Sequence, residues 1–238
     1  MTSGREPNLW RASSRETIGA GALDRDLSVD LAVIGGGFTG CSAALEAARG
    51  GAAVALLEAR EIGYGGSGRN VGLANAGLWL KPEEITAELG EDAGRALIAR
   101  LAEAPTTVFG LIEREAIDCE ARRAGTLHCA HAPAGMDDLR ERLRQGLAAG
   151  APLELLDAET ARARTGSTAV HGALFDPRAG TVQPLAYCRG LARAARDAGA
   201  AVFEDSPVTA LTREGDTWLV SCNGRTVRAG ALLMATNA

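Results

Sequence analysis

Gly35, Gly37 and Gly40 stand in G-x-G-x-x-G spacing between two apolar runs, "VDLAVI" ahead of them and "AAVALL" one helical length later. Neither run alternates with polar residues, the pattern of parallel strands buried on both faces. Between them, "FTGCSAALEAARGG" places Cys41, Ala44, Leu45 and Ala48 at helical spacing and stops at Gly50-Gly51, a helix C-terminal signal. Strand, helix and strand in that order predict a βαβ unit with a right-handed crossover. Its glycines have geometric roles: the first allows a tight turn, the second lets a pyrophosphate approach the backbone, and the third lets helix and strand pack closely. The helix N-terminus offers N–H groups and partial positive charge to phosphates. Glu58, ending the second run, is placed to accept hydrogen bonds from ribose hydroxyls and would repel the 2′-phosphate of NADP. A glycine turn that serves packing alone would not need the strand, helix, second strand and acidic residue together.

This motif does not choose between NAD and FAD. The next stretch, "EAREIGYGGSGRNVGLANAG" at 58–77, bears on the choice. A nicotinamide domain would move directly to its next helix, whereas a long glycine-rich loop carrying Ser67, Arg69 and Asn70 offers more phosphate-contacting backbone for a bulkier cofactor.

The 238 residues suffice for one large core or two modest ones, and a net charge of −5 with mixed signs gives no basic face for nucleic acid and no polybasic segment for a membrane. Cys41, Cys119, Cys129, Cys188 and Cys222 form no CxxC pair, which fits reduced thiols in a cytoplasmic protein without a structural bridge. Residues 1–28 read as a leader with no signal-peptide or membrane-spanning pattern, anchored by Trp10.

Farther along, residues 81–115 place Ile85, Leu89, Ala93, Leu97 and Leu101 on one helical stripe that Pro105 should break or kink. "GTLHCAHA" and "LELLD" read as strands, residues 137–150 as an amphipathic helix, and 157–166 as a short helix N-capped by Asp157. A turn falls at Asp176-Pro177, and Pro184 and Gly199 bracket a helix whose apolar face holds Leu185, Cys188, Leu191, Ala192 and Ala195. Two turns, at Glu214-Gly215-Asp216 and Asn223-Gly224, then divide a strand meander that returns to "ALLMATNA". In a strand, His128 and His131 of "LHCAH" would point to opposite faces, and no metal site is expected. His171 reads as structural.

The run "DLAVIGGGFTGCSAALEAARGGAAVALLEAREIGYGGSGRNVG" resembles the N-terminal signature of the FAD-dependent D-amino-acid oxidase and glycine/sarcosine oxidase superfamily, and "GYGGSGRNVG" its gamma-glutamylputrescine oxidoreductase-like branch. "GTLHCA", "GALFDPRAGTVQPLAYCRGLARAARDAGAAVFEDSPVTAL" and "ALLMATNA" extend the resemblance from about Trp10 to Ala238. It implies an α/β (α+β overall) fold: a Rossmann-like FAD-binding βαβ domain at 29–80, a mixed α+β substrate domain inserted at 81–183, and a return to the first domain at 184–238. By the same resemblance, FAD contacts fall on Gly35, Gly37, Phe38, Thr39, Gly40, Glu58, Ala59, Arg60, Ser67, Gly68, Arg69 and Asn70, with Val208 on the adenine side and Ala235 and Thr236 at a second strand end. FAD is expected to be non-covalent, because the loop after Glu58 lacks the histidine that some relatives use as a covalent link.

The implied reaction is oxidation of the C–N bond of an amine or amino acid by hydride transfer to flavin, giving an imine that hydrolyses, with oxygen or another electron acceptor closing the cycle. No residue is assigned as a catalytic acid or base. Members of the superfamily run to nearly twice this length, so the chain is expected to represent an N-terminal portion, incomplete at the C-terminus and with exposed apolar surface. The alternatives are an NAD-dependent dehydrogenase, a flavin-dependent partner of an RNA-modifying enzyme, and a non-catalytic fragment that binds the adenosine half of FAD.

Overall fold

The computed structural model describes residues 8–237; the first seven residues of the expected leader, and Ala238, lie outside the described residues. In chain order the elements are α1 (Leu9–Ser13), β1 (Leu27–Ile34), α2 (Phe38–Arg49), β2 (Val54–Leu57), β3 (Leu73–Ala74), α3 (Pro82–Leu89) and α4 (Glu91–Arg114). They continue with β4 (Thr126–Ala130), α5 (Gly135–Ala148), β5 (Glu154–Leu156), α6 (Ala158–Thr165), β6 (Gly172–Asp176), β7 (Gly180–Thr181) and α7 (Pro184–Asp197). The last four are β8 (Ala201–Phe203), β9 (Val208–Glu214), β10 (Thr217–Cys222) and β11 (Arg225–Met234).

Two compact units form. The first comprises the chain up to Gly72, Ile112–Glu120 and the chain from Gln183; the second comprises Leu73–Leu111 and Ala121–Val182. Unit 1 is built on a six-stranded sheet in the order β8-β2-β1-β11-β10-β9. β8, β2, β1 and β11 run parallel, and β10 and β9 continue antiparallel. All four residues of β2 are buried, as are Ala32, Val33 and Ile34 at the end of β1. Helices α2 and α7 bury the predicted small and apolar faces, including Cys41, Ala44, Leu45 and Ala48 on the first and Leu185, Cys188, Leu191, Ala192 and Ala195 on the second. Small side chains let these helices lie close to each other and to the sheet. Unit 2 holds a three-stranded antiparallel sheet, β4-β6-β5, and the short pair β3-β7.

Local signals behave as their chemistry demands. Asp157 caps α6 by accepting from Thr160 N, Pro184 opens α7, and Asn223 and Gly224 both take positive φ in the turn between β10 and β11. Three expectations need correction. Pro105 does not break α4, which runs unbroken for 24 residues; the proline is fully buried, and packing offsets the roughly 3 kcal/mol that an interior proline costs. The break falls instead at Gly90, whose φ of 81° and ψ of 162° leave the helical region. That interruption resets the helical phase, so Leu89 is 51 % exposed and Ala93 is exposed, while Gly94, Pro105, Phe109 and Ile112 are buried. The predicted single stripe therefore does not exist. "ALLMATNA" is likewise no separate strand: β11 is one ten-residue strand, antiparallel to β10 over its first half and parallel to β1 from Val227 to Met234.

Among the described residues no helix is long and apolar enough to cross a membrane. Large apolar side chains exposed to solvent include Val71, Leu73, Leu78, Trp79 and Leu80.

Candidate functional site

At the end of β1 the chain turns through Gly35, whose φ is 108° and where a Cβ would stand 2.5 Å from the carbonyl oxygen of Ala235. Only glycine satisfies both conditions. A Cβ on Gly40 would collide with the Gly35 carbonyl, and one on Gly37 would meet Ser67 Oγ at 2.9 Å. The close strand-to-helix turn predicted from G-x-G-x-x-G is thus present, with Gly37 as the N-cap of α2 carrying no side-chain cap of its own. The first-turn N–H groups of such a helix have no intrahelical acceptor and attract an anion. Phe38 N is already engaged, donating to Ser67 Oγ at 3.0 Å.

Glu58 follows β2 and is half-buried. Its Oε2 accepts from Gly36 N at 2.7 Å and its Oε1 from Arg60 N at 2.9 Å. The carboxylate fixes the turn from below, and each oxygen keeps lone-pair capacity for a ribose hydroxyl. On the other side, Ser206 N donates to Glu58 O at 2.8 Å and Asp205 N to Arg60 O at 2.6 Å. Val208 begins β9 two residues beyond Ser206 and packs half-buried against the sheet core.

The glycine-rich loop closes over the turn. Gly63 N donates to Gly36 O at 2.9 Å. Gly68 is packed so that a Cβ would collide with the Gly63 carbonyl. Asn70 donates to Gly66 O at 3.1 Å and Ser67 O at 3.0 Å, and its Oδ1 accepts from Gly72 N at 2.8 Å. Arg60 and Arg69 converge on the ring of Tyr64, at 4.3 and 5.3 Å from its centroid, and Arg60 also donates to the Tyr64 hydroxyl at 2.6 Å. Gly35, Gly37, Gly40, Glu58, Ser67 and Ala235 therefore meet at one turn, with Thr236 next to Ala235. Arg60 and Arg69 flank it as an exposed pair, while Val208 packs with the sheet core.

Three participants were not legible as site residues. Gly36 is needed because a Cβ there would lie 2.5 Å from Ile62 Cδ1 and 2.9 Å from Glu58 Cβ; the run of three glycines was its only signal. Tyr64 gathers the two arginines. Cys188, from α7, donates its thiol to Gly36 O at 3.4 Å. The adjacent Cys41 thiol is held well above the usual cysteine range by its hydrogen bond with Cys188, then by burial, so it stays protonated at neutral pH.

Unit 2 contains a cavity of about 590 Å³ walled by Leu78, Trp79, Ile85, Ile98, Leu101, Leu127 and Leu153, among others. The charges on its lining are engaged within the unit: Lys81 and Arg142 with Asp138, and Arg178 with Asp176. His128 meets Trp79 edge-on at 5.1 Å. Burial, then the Arg142 charge, lowers its pKa from 6.5, and the ring is neutral at pH 7. Among the described residues no group of three or more His, Cys, Asp or Glu could hold a metal ion.

Residues 30–238 match the DAO family model, described as FAD dependent oxidoreductase. The probable oxidoreductase OrdL of Haemophilus influenzae is 34% identical over 211 residues, covering 88% of this chain and 49% of the relative. The gamma-glutamylputrescine oxidoreductase of Escherichia coli is 33% identical over 232 residues, covering 97% and 54%. The crystal structure of glycine oxidase from Geobacillus kaustophilus superposes with a TM-score of 0.75 at 26% identity, covering 89% of this chain and 56% of that one. The chain spans about half the length of the curated relatives it matches.

Proposed function

Since the chain belongs to the DAO family of FAD-dependent oxidoreductases, we propose that unit 1 is a Rossmann-like domain that binds FAD at the glycine turn, and that the protein oxidises the C–N bond of an amine or amino acid. One observation carries this reading. The N-terminus of α2, the Glu58 carboxylate and the glycine-rich loop meet where Cβ atoms on Gly35 and Gly40 would strike backbone and those on Gly36 and Gly37 would strike the side chains of Ile62, Glu58 and Ser67.

In this reading the first turn of α2, at Phe38, Thr39 and Gly40, faces the pyrophosphate, and Glu58 receives the adenosine ribose beside Ala59 and Arg60. Ser67, Gly68, Arg69 and Asn70 hold the other side of the pyrophosphate, while Val208 lies toward the adenine and Ala235 and Thr236 toward the flavin half. When bound, FAD supplies the hydride acceptor. The attachment is non-covalent, in keeping with a loop from Ala59 to Gly72 that has neither histidine nor cysteine.

Unit 2 serves as the substrate-side body in this proposal. Its apolar walls, internally paired charges and neutral His128 suit a neutral amine, the form that can release hydride from its α-carbon. Gamma-glutamylputrescine oxidoreductase and glycine oxidase are named for an amine and an amino-acid substrate, which supports the substrate class. Oxygen or another acceptor completes turnover, in a cytoplasmic setting consistent with five cysteines that lie outside any disulfide.

The test is an absorbance spectrum of the purified chain, beside a version extended to the full length of its relatives, followed by acid precipitation. Flavin bands in the extended form, with yellow FAD released to the supernatant, are expected. Absence of flavin from both forms, with no titratable FAD binding, overturns the cofactor assignment; flavin retained in the pellet overturns the non-covalent attachment.

A further inference from the structure

We propose that α1, far from the glycine-rich loop in sequence, is a strap that sets the loop's conformation, and that Trp10 is its positioning residue. The link to cofactor affinity rests on the FAD reading above; the link to loop order does not.

The strap is fastened at several points. A helix of five residues cannot stand alone in water, so its tertiary ties decide where it lies. Asn8 caps it by accepting from Arg11 N at 2.8 Å. Arg11 reaches the buried carboxylate of Glu61, with Nη1 at 2.7 Å from Oε2. Gln183, itself buried at the N-cap of α7, donates to Trp10 O at 2.6 Å and to Ser13 Oγ at 3.3 Å. From this fixed base the Trp10 indole N–H donates to Asn70 O at 2.9 Å.

Asn70 passes the constraint on. Its side-chain amide donates to Ser67 O at 3.0 Å, and Ser67 Oγ accepts from Phe38 N at the start of α2. A continuous path of hydrogen bonds therefore runs from the leader through the loop to the turn that would hold a pyrophosphate. The loop needs such fasteners because glycines lose more conformational freedom on ordering than any other residue. Ordering the loop before a ligand arrives removes that cost from binding.

A ring that merely fills space predicts a different outcome from a donor that positions Asn70. Trp10→Phe keeps most of the ring and removes the N–H. With the strap acting as proposed, amide hydrogen exchange across residues 63–72 quickens in the cofactor-free variant, while protection in β1, β2 and α7 is unchanged. FAD affinity, read by flavin fluorescence, falls roughly fivefold, the equivalent of one neutral hydrogen bond. Loop exchange identical to that of the parent chain overturns the proposal. Quickened exchange in a chain whose parent binds no FAD leaves the strap standing and sinks the cofactor reading instead. Should Trp10→Phe fail to fold, the same measurements fall to Arg11→Lys, which keeps the charge opposite Glu61 but loses the guanidinium fork; unchanged loop exchange in that variant overturns the strap equally.

Discussion

The loop Gly63–Gly72 and the stretch Leu73–Leu80 are consecutive in sequence and are held in opposite ways. In the first, Asn70 alone makes three hydrogen bonds to loop backbone, and Gly63 and Gly68 sit where a Cβ would collide. In the second, a few polar ties hold the backbone, such as Arg142 Nη1 to Trp79 O at 2.7 Å and Arg178 Nη2 to Ala76 O at 3.4 Å. Its apolar side chains remain open, with Trp79 70 % exposed. Backbone polar groups have specific acceptors within one unit and can be satisfied locally. Apolar surface is satisfied only by more surface, and a contiguous exposed patch marks a place where contact is made with something else.

Substitutions at glycine give the sharpest contrast. Gly68→Ala drives a Cβ into the Gly63 carbonyl and meets Leu185 Cδ1 at 2.9 Å; overpacking of this kind is expected to cost about 3 kcal/mol, lowering Tm by roughly 6 to 12 °C. A calorimetric Tm within 2 °C of the parent, on the order of half a kcal/mol, would show the loop to be more yielding than its packing implies. In unit 2, Leu139→Ala empties part of a small core made with Ala130 and Leu174 and should cost about 2 to 4 kcal/mol. Exchange protection should then fall in β4 and α5 and persist in β1 and β2; equal losses in both units would make them one cooperative body.

Glu58→Ala removes the acceptor for Gly36 N and Arg60 N. Because hydrogen bonds to a charged group contribute roughly 1.5 to 3 kcal/mol, FAD affinity should fall by roughly 10- to 100-fold; unchanged affinity removes its role. Acid supplies a smaller effect confined to unit 2. Burial and then Arg142 lower the His128 pKa from 6.5, so the unfolded chain takes up the proton more readily than the folded one. The stability associated with the neutral ring is fully present above 6.5, declines as pH falls below that value, and is lost once pH passes the lowered folded pKa. His128→Gln should flatten that step in a urea titration against pH. Smallest of all, Gly77→Ala adds a Cβ with nothing within 4 Å and should shift stability by under about 0.5 kcal/mol. A large loss there would mean the open stretch is tightly packed after all.

How much was legible depended on the range of the interaction. The N-cap at Asp157, the start of α7 at Pro184 and the turn at Asn223-Gly224 were all readable because one residue's own backbone or side-chain chemistry fixes each. Pro105 does not break α4, because a buried tertiary environment outweighs the local penalty. Gly90 was passed over because its positive φ has no mark in sequence beyond glycine itself. In the site, Gly35, Gly37, Gly40 and Glu58 were readable from their spacing against two buried strands. Gly36, Tyr64 and Cys188 were not, since their places come from contacts with Glu58 and Ile62, with Arg60 and Arg69, and, for Cys188 on α7, with the Gly36 carbonyl 152 residues away.

By itself the sequence determined the βαβ unit, the turn at its centre and the chemical character of the loop that follows, because periodicity and glycine geometry are local constraints. Only the tertiary structure decided that Trp10 of α1 donates a hydrogen bond to Asn70 in that loop, that two arginines share one tyrosine ring, and that α4 runs through its proline. Each of those outcomes depends on which distant groups come within hydrogen-bonding or van der Waals reach, a quantity set by the packed fold and carried by no single segment.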